Sequence, residues 1–517
     1  MLFNSIDFLI FLPIVCLVYF IFPKKYRYLW LLVASYYFYM CWNAKYAILI
    51  AASTVITYLC SIRVNYLTKL QIDFSGDNPD SAVSQYFQRR SRKITLHKKL
   101  SVAFSLISNL GILFMFKYYG FFADTITSLM STVGITVKFP VFDYLLPVGI
   151  SFYTFQALGY TIDVYRGDID AEKNFFRYAL FVSFFPQLVA GPIERSTNLL
   201  NQIRNDHTHR FDFERVLNGL LLVGGGMFLK VVVADRAAIL VNTVYNDLIN
   251  YSGVSLIIAT IAFAFQIYCD FASYSIIAKG SAQILGYNLM DNFAQPYLAT
   301  SIGDFWHRWH ISLSQWFRDY LYIPLGGSRK GLARTLINVM IVFVLSGLWH
   351  GSAWTFVIWG LLHGLYQVIG RLTKKPRQKL YSALHVKTEA FSWKLGQILF
   401  TFALVCFAWI FFRANTFSDA IYVVTHMFEP NFWVLTDNVS LYNMGLDRSD
   451  FQLLVVTIAV VIAIDIAKYN KVSIRPWIAR QNVFFRYFVY VALIMSIVVW
   501  GAYGLGFTAE QFIYFQF

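Results

Sequence analysis

An isolated histidine lies within a long apolar run of the sequence. His350 belongs to the segment Leu345–Trp354, and because no charged residue lies within about ten positions on either side, it is a lone titratable group at membrane depth. Its neighbours Ser346, Gly347 and Gly351 are small, which permits either close helix packing or a thin ligand chain beside the imidazole. A single histidine can act as the general base of acyl transfer, taking the proton of an attacking hydroxyl and returning it to the leaving group.

Two further histidines flank this candidate. His310 lies in Ser301–Leu321, whose periodicity predicts one amphipathic helix in the plane of the membrane interface, with Trp and Tyr at headgroup level. His310 falls on the aromatic face, where it is either a chemical group or a structural histidine with a hydrogen-bond partner. His363 follows His350 on a roughly opposite helical face, so a straight helix would not bring the two together.

Two other polar features allow a functional or an ordinary interpretation. The turn Ile323–Gly331 carries Arg329 and Lys330. It could form an amide nest for the phosphates of a nucleotide-bearing acyl carrier, but an ordinary cytoplasmic loop is the favoured interpretation. Gln266 and Asp270 share one face of an apolar helix, where they could line a pathway or pair with other helices.

The composition indicates that membrane spans position these groups. Of the 517 residues, 58% are hydrophobic and 14% charged, and the mean hydropathy is +0.53. A soluble protein would carry about 25% charged residues, so a soluble enzyme is excluded. The net charge of +15 comes from short basic clusters between apolar stretches, which the positive-inside rule explains without a nucleic-acid partner.

The pattern predicts an all-α polytopic membrane protein with roughly ten to thirteen spanning or re-entrant helices. The run Leu336–Ile369 is too long for one span, so we expect a turn around Trp349–Trp354. The basic segment Arg63–Lys99 should be cytoplasmic, which places the N-terminus outside the cytoplasm. The basic segments Arg371–Lys379 and Lys468–Arg480 should also be inside and the mainly acidic Glu429–Asp450 outside, which places the C-terminus outside as well. We expect a single membrane domain over 1–517, with N-terminal helices in 1–130, a catalytic core in 140–370 and C-terminal helices in 395–517.

Established catalytic and metal motifs are missing from the sequence. It has no Gly-x-Ser-x-Gly elbow, no His-Glu-x-x-His, no Walker loop and no dinucleotide-binding fingerprint, and we expect no metal. The cysteines have neither metal-ligand nor redox spacing and are expected to be buried small hydrophobic residues: Cys16, Cys41, Cys60, Cys269 and Cys406.

Combined motifs over nearly the whole chain resemble the membrane-bound O-acyltransferase (MBOAT) family, in its bacterial branch that acetylates exported polysaccharides such as alginate. The motifs are QPYLATSIGDFWHRWHISLSQWFRDYLYIPLGG and LSGLWHGSAWTFVIWGLLHG, which contain His310 and His350. LPVGISFYTFQALGYTIDVYRGD, AGPIER and the FIYFQF ending support them. One departure is Ile276, where relatives often have a carboxylate, so no role is transferred to that position.

This resemblance implies a helical shell around a central funnel in the inner or cytoplasmic membrane. It implies His350 as the essential histidine and His310 as the family's second marked histidine, nearer the cytoplasm. It also implies acetyl-CoA as the acyl donor and an extracytoplasmic SGNH-hydrolase-type acetyltransferase as the partner that modifies an exported polysaccharide. The residues that contact coenzyme A, the oxyanion stabiliser and the particular glycan are not identified.

Two alternatives remain open at this point. The D-alanyl-transferring branch, which acts on teichoic-acid-type polymers, shares both histidine motifs and would need a carrier-protein donor. A non-catalytic scaffold for polysaccharide export would use the two histidines only for buried contacts.

Overall fold

A computed structural model describes seven parts of the chain: 1–73, 81–142, 146–189, 191–206, 209–437, 439–503 and 512–513. For residues 72–73 and 81–87 only the backbone is described. Several sequence features lie partly outside these residues: the middle of Arg63–Lys99, Leu145 before the 146–168 motif, Ala190 of AGPIER, and all of the FIYFQF ending except Phe512 and Ile513.

The described residues are helical and contain no strand. Up to residue 245 the α-helices are α1 Ile6–Ile21, α2 Arg27–Asn43, α3 Ala47–Asp73, α4 Ser81–Leu113, α5 Tyr119–Thr132, α6 Ile150–Arg166, α7 Phe175–Ser183, α8 Phe185–Leu188, α9 Asn201–Arg204, α10 Phe213–Met227 and α11 Asp235–Tyr245. Beyond it they are α12 Val254–Leu285, α13 Ile302–Arg308, α14 Ile311–Phe317, α15 Gly331–His350, α16 Trp354–Leu372, α17 Lys374–Ala383, α18 Phe391–Arg413, α19 Phe417–His426, α20 Arg448–Tyr469, α21 Ile474–Ala479 and α22 Val483–Trp500.

Within these residues, 8 helical stretches are long and apolar enough to cross a bilayer. They are Lys24–Gln71, Gln88–Thr132, Phe213–Tyr245, Val254–Leu285, Gly331–His350, Phe391–Arg413, Arg448–Tyr469 and Val483–Trp500, and Ile6–Ile21 is a shorter apolar helix. The all-α, multi-pass membrane fold predicted from composition is therefore confirmed.

The chain forms two compact units. The first comprises Met1–Leu220 and Ala278–Met290, and the second comprises Leu221–Ile277 and Asp291–Phe517. In the first, α3 packs against α4 and α6, and α6 is buried along most of its length. The second contains α13 to α22 with all of the sequence-predicted histidines. The three-part division of the chain remains a prediction.

The overlong run Leu336–Ile369 is divided where the sequence predicts, because α15 ends at His350 and α16 begins at Trp354. The two helices cross closely at Gly347 and Gly360. A Cβ on Gly347 would lie 2.3 Å from the carbonyl oxygen of Phe356, so the crossing requires glycine there. The small residues around His350 thus serve helix packing.

The expectation that all five cysteines are buried is wrong for two of them. Cys60, Cys269 and Cys406 are buried, whereas Cys16 is half-buried and Cys41 is exposed. A thiol on an apolar helix surface needs no protein cover where that surface faces lipid, so an apolar neighbourhood does not distinguish core from lipid contact.

Candidate active site

The predicted helix Ser301–Leu321 is broken at His310. Helix α13 ends at Arg308 and α14 begins at Ile311, while His310 between them has the left-handed conformation φ 43°, ψ 56°. Such a backbone is uncommon for a residue other than glycine, and it persists only where surrounding contacts fix it. The prediction of one continuous amphipathic helix is therefore wrong.

Asn292 supplies those surrounding contacts. Its carbonyl oxygen accepts a hydrogen bond from the Ile311 N–H at 3.0 Å, and its Oδ1 accepts one from the Ser312 hydroxyl at 2.6 Å. Its side-chain amide donates to Ser275 Oγ at 3.0 Å, so Asn292 joins the start of α14 to α12. These contacts fix the backbone on the C-terminal side of His310.

Two of the three tryptophans of this segment are core residues. Trp309 is 0% exposed and Trp306 is 8% exposed. Trp309 stacks on Phe305 with ring centroids 5.5 Å apart and packs against Trp409 at 5.2 Å. Trp316, further along the segment, is half-buried. The location of these rings at headgroup level stays a prediction.

The break in the chain at His310 and the turn after α15 bring two histidines together. The ring centroids of His310 and His350 lie 6.2 Å apart, and both residues are buried. His310 also contacts Phe271 at 4.6 Å, and His350 contacts Trp359 at 4.9 Å. Aromatic rings thus hold both imidazoles in an apolar environment.

Burial lowers the pKa of His310 to about 3, because an apolar environment disfavours the imidazolium ion. The side chain is therefore neutral at pH 7. A neutral imidazole provides one N–H donor and one nitrogen acceptor. It can consequently orient or polarise a reacting group without carrying a charge into the core.

His363, the third histidine of this region, accepts a hydrogen bond at Nδ1 from the indole N–H of Trp306 at 3.2 Å. Its ring packs on Trp359 at 5.0 Å, so Trp359 contacts both His363 and His350. The straight-helix argument that separated the two histidines does not apply, because the chain turns between them.

A cavity of about 310 Å³ lies between α13, α14, α15 and α16, and neither imidazole of the histidine pair is part of its lining. Its lining includes Ile311, next to His310 in the chain, and Ser346, one helical turn before His350. Its polar and charged lining residues include His307, Ser314, Gln315, Arg318, Gln367 and Arg371. The cavity therefore has two guanidinium groups in its lining, and it reaches residues that are close in the chain to both histidines.

The turn Ile323–Gly331 packs against α15, where the Asn338 side-chain amide donates to the Gly327 carbonyl at 3.0 Å. The cavity lining extends to Tyr322, one residue before this turn. In the described residues no group of three or more His, Cys, Asp or Glu side chains could hold a metal ion.

Asp270, singled out from the sequence without a partner, belongs to a buried ionic cluster. The Lys230 ammonium lies 2.8 Å from the Asp270 carboxylate and 2.7 Å from that of Asp235. Asp270 also accepts a hydrogen bond from the Ile513 N–H at 2.7 Å, which ties the chain near its C-terminus to α12. The sequence signal for this cluster was an intramembrane lysine and aspartate on neighbouring predicted spans.

Sequence reasoning also missed Asn292 and Trp359. Asn292 precedes the helical pattern and has no periodicity to mark it, whereas Trp359 is one aromatic residue among many. Only the residue type of Asn292 gave a signal, since asparagine side chains often cap and fix turns through backbone hydrogen bonds.

Comparisons with a family model and with known proteins agree on the family of this chain. The model of the membrane-bound O-acyltransferase family matches residues 169–418, which include both His310 and His350. The chain is 36% identical over 461 residues to the probable alginate O-acetylase AlgI of Azotobacter vinelandii, covering 89% of this chain and 84% of that protein.

A peptidoglycan O-acetyltransferase of Helicobacter pylori is 31% identical over 485 residues, covering 87% of this chain and 83% of that protein. The teichoic acid D-alanyltransferase of Bacillus subtilis is more distant, at 27% identity over 287 residues, 52% of this chain and 69% of that protein. With its helical membrane fold and two relatives above 30% identity that match most of its length, the chain belongs to the membrane-bound O-acyltransferase family and is an O-acyltransferase.

Proposed function

We propose that this protein takes an acetyl group from acetyl-CoA on the cytoplasmic side of the cell membrane and passes it across for O-acetylation of an exported or cell-surface polysaccharide. The observation that carries the proposal is the proximity of His310 and His350, 6.2 Å apart between ring centroids. A cavity with two arginines in its lining, which also includes Ile311 and Ser346, supports it. The names of the relatives, which describe alginate and peptidoglycan acetylation, support acetyl as the group transferred.

In this proposal His350 is the general base. An imidazole nitrogen takes the proton from the attacking hydroxyl as its oxygen bonds to the thioester carbonyl carbon, and the carbon–sulfur bond then breaks. The proton passes to the departing thiolate, which leaves as coenzyme A thiol. His310, held neutral beside His350, positions or polarises the thioester through a hydrogen bond.

The cavity between α13, α14, α15 and α16 is the proposed donor site. Arg318 and Arg371 line it, and guanidinium groups suit phosphates such as those of coenzyme A. Arg318 also pairs with Asp319 at 2.8 Å, which leaves Arg371 as the stronger candidate for phosphate contact. Arg371 begins the basic segment Arg371–Lys379, which the positive-inside rule places in the cytoplasm together with the donor.

The proposed acceptor is a serine on an extracytoplasmic partner of the SGNH-hydrolase type, which then esterifies a glycan hydroxyl. Among the described residues we find no soluble extracytoplasmic domain that would handle a polymer. Both termini lie outside the cytoplasm in this proposal, in agreement with the charges of the loops.

The test measures base-labile acetate on the surface glycans of a deletion strain that carries wild type, His350→Gln or His97→Gln. His97 is an exposed histidine on α4, so its variant controls for the substitution itself. Immunoblots of membrane fractions confirm equal insertion. We expect wild type and His97→Gln to restore acetate and His350→Gln to restore none.

Equal acetate in the His350→Gln strain would contradict the catalytic role of His350 and make this histidine a structural residue. If even the wild type restores no acetate, the transferred group is not acetyl, and esterified D-alanine is measured in the same samples.

A further inference from the structure

A second cavity, of about 640 Å³, opens among α10, α20, α21 and α22. This volume is within the range of small-molecule binding sites, about 300–1,000 Å³. Leu221 and Leu222 on α10, Ile464 on α20 and Leu493 on α22 are among its apolar walls. We call this cavity the α20–α22 groove.

One side of the α20–α22 groove is cationic. Lys468 near the end of α20, Lys471 in the following turn and Arg475 on α21 all line it, with the hydroxyl-bearing residues Ser473 and Tyr490. Three cations beside a continuous apolar wall form an amphiphilic site, with one part suited to an anion and the rest to hydrocarbon.

Lys471, just after the end of α20, has an unusual backbone conformation. Lys471 has φ 61°, a left-handed backbone that glycine adopts with less strain at the end of a helix. The adjoining hydrogen bond from Val472 N–H to the Ala467 carbonyl, 2.9 Å, is typical of such a helix end. A long cationic side chain therefore occupies a position where most helices have glycine.

Two of the helices that form the groove, α20 and α22, are the least buried of the 8 candidate spans. Only 17% of the most apolar window of α20 is buried within the protein, and none of that of α22 is. Their exposed residues include Ile462, Ile466, Val491 and Ile494, which is the surface expected for contact with acyl chains. The occupant that matches both the cations and this setting is a membrane lipid.

We propose that the α20–α22 groove binds an anionic phospholipid, with its headgroup phosphate against Lys468, Lys471 and Arg475 and an acyl chain along the apolar wall. The basic segment Lys468–Arg480 is predicted to be cytoplasmic, so the lipid comes from the inner leaflet. This site is independent of the acetyl-transfer proposal, because the two cavities share no lining residue.

The test measures phospholipid bound to the full-length protein in detergent by native mass spectrometry, with phosphatidylglycerol and phosphatidylcholine as probes. We expect wild type to prefer phosphatidylglycerol. Removing the three cations together, with Lys468→Ala, Lys471→Ala and Arg475→Ala, should reduce that preference by about tenfold or more. An unchanged preference would overturn the proposal.

A control variant removes three cations elsewhere. Lys374, Lys375 and Lys379 are exposed on α17, a helix that does not line the groove, and their alanine variant has the same net charge as the groove variant. We expect it to keep the preference for phosphatidylglycerol. An equal loss in this control would overturn the proposal in favour of general surface attraction.

The variant Gly225→Leu tests whether an acyl chain occupies the apolar wall of the α20–α22 groove. A Cβ on Gly225 meets nothing within 4 Å, so the leucine fills the groove without displacing the protein, and all cations are kept. We expect less binding of both lipids and an unchanged melting temperature in lipid-free detergent. Unchanged lipid binding would overturn the proposal, because it would mean that no chain occupies the groove.

Excess inorganic phosphate distinguishes a lipid from a free anion. We expect it to leave phosphatidylglycerol bound, since the apolar wall supplies part of the binding energy. Complete displacement by phosphate, or a polypeptide in place of the lipid in the mass spectrum of the protein as isolated, would overturn the assignment.

Discussion

The ionic cluster around Lys230 and the histidine pair His310–His350 both contain polar side chains in a buried environment, but these side chains are stabilised there in different ways. Both place polar side chains deep in the unit formed by Leu221–Ile277 and Asp291–Phe517. In the ionic cluster, one ammonium lies within 2.8 Å of two carboxylates. At the histidine pair, aromatic rings surround side chains that can remain uncharged.

This difference separates structural from chemical polar groups. Buried ions are tolerated when they compensate one another, and removing one partner then leaves an uncompensated charge. Neutral imidazoles need no such compensation and can accept a proton during a reaction. We therefore expect substitutions in the ionic cluster to affect folding and substitutions at the histidine pair to affect the rate of transfer.

The largest expected effect on stability is that of Lys230→Met. It removes the cation that Asp235 and Asp270 share, which should lower the free energy of unfolding by about 3–5 kcal/mol. Thermal denaturation of the purified protein in detergent measures it. The triple variant Lys230→Met, Asp235→Asn, Asp270→Asn removes the three charges together and should regain most of the loss. A Lys230→Met protein that is as stable and active as the wild type would contradict the structural role of the ionic cluster.

His310→Asn should reduce the rate of acetyl transfer and leave the stability of the folded protein nearly unchanged. Asparagine tolerates the left-handed backbone at position 310, so the break between α13 and α14 is kept. Loss of the imidazole should lower acetyl transfer by about a hundredfold, within the usual range for a residue that moves or polarises a proton. Initial rates with labelled acetyl-CoA and a melting curve on the same preparation check both parts. A wild-type rate would make His310 structural.

Asn292→Ala should have a smaller, mixed effect. It removes the amide that joins Ser312 to Ser275, which should lower the free energy of unfolding by about 1–3 kcal/mol. Because His310 then loses part of its support, we expect the maximal rate to fall about tenfold while the KM for acetyl-CoA changes little. A changed KM with an unchanged maximal rate would show that Asn292 supports the donor site instead.

The smallest expected effect concerns Glu194, a buried carboxyl in the first unit that accepts hydrogen bonds from Met290 N–H at 2.6 Å and the Asn198 amide at 2.7 Å. Burial raises the pKa of Glu194 from 4.5 to about 7. The folded protein then binds this proton more tightly than the unfolded chain. The resulting stabilisation is complete below about pH 4.5 and is lost as the pH rises through about 7.

Melting temperatures of wild type and Glu194→Gln between pH 5 and 8 test this prediction. We expect the wild type to lose a few degrees relative to the glutamine variant as the pH rises, because glutamine does not titrate. Parallel curves would mean that the carboxylate is as stable in the folded protein as in the unfolded chain.

Much of the fold and both histidines could be predicted from the sequence. Hydropathy gives the membrane class, because spanning helices must be apolar over a fixed length. The same argument predicts the turn between His350 and Trp354, since the run Leu336–Ile369 exceeds one span. His350 and His310 were identified from residue type and motif, and their catalytic roles remain proposals.

The break at His310 could not be predicted in this way. Helical periodicity continues from Trp309 to Leu313, so the local pattern favours a single helix. The left-handed backbone depends on contacts of Asn292, which is distant in sequence from Ser312 and Ser275. Likewise, Asp270 was recognised as an intramembrane carboxyl, but its pairing with Lys230 follows from helix packing that periodicity does not specify.

The central claim is that His310 and His350 serve one transfer step. A double-mutant cycle on kcat/KM for acetyl-CoA, with His310→Asn, His350→Gln and both together, tests it most directly. Residues that act as a unit are non-additive, so we predict that the double variant is close in rate to His350→Gln alone. A double variant whose loss equals the product of the two single losses would contradict the claim, because the two histidines would then act independently.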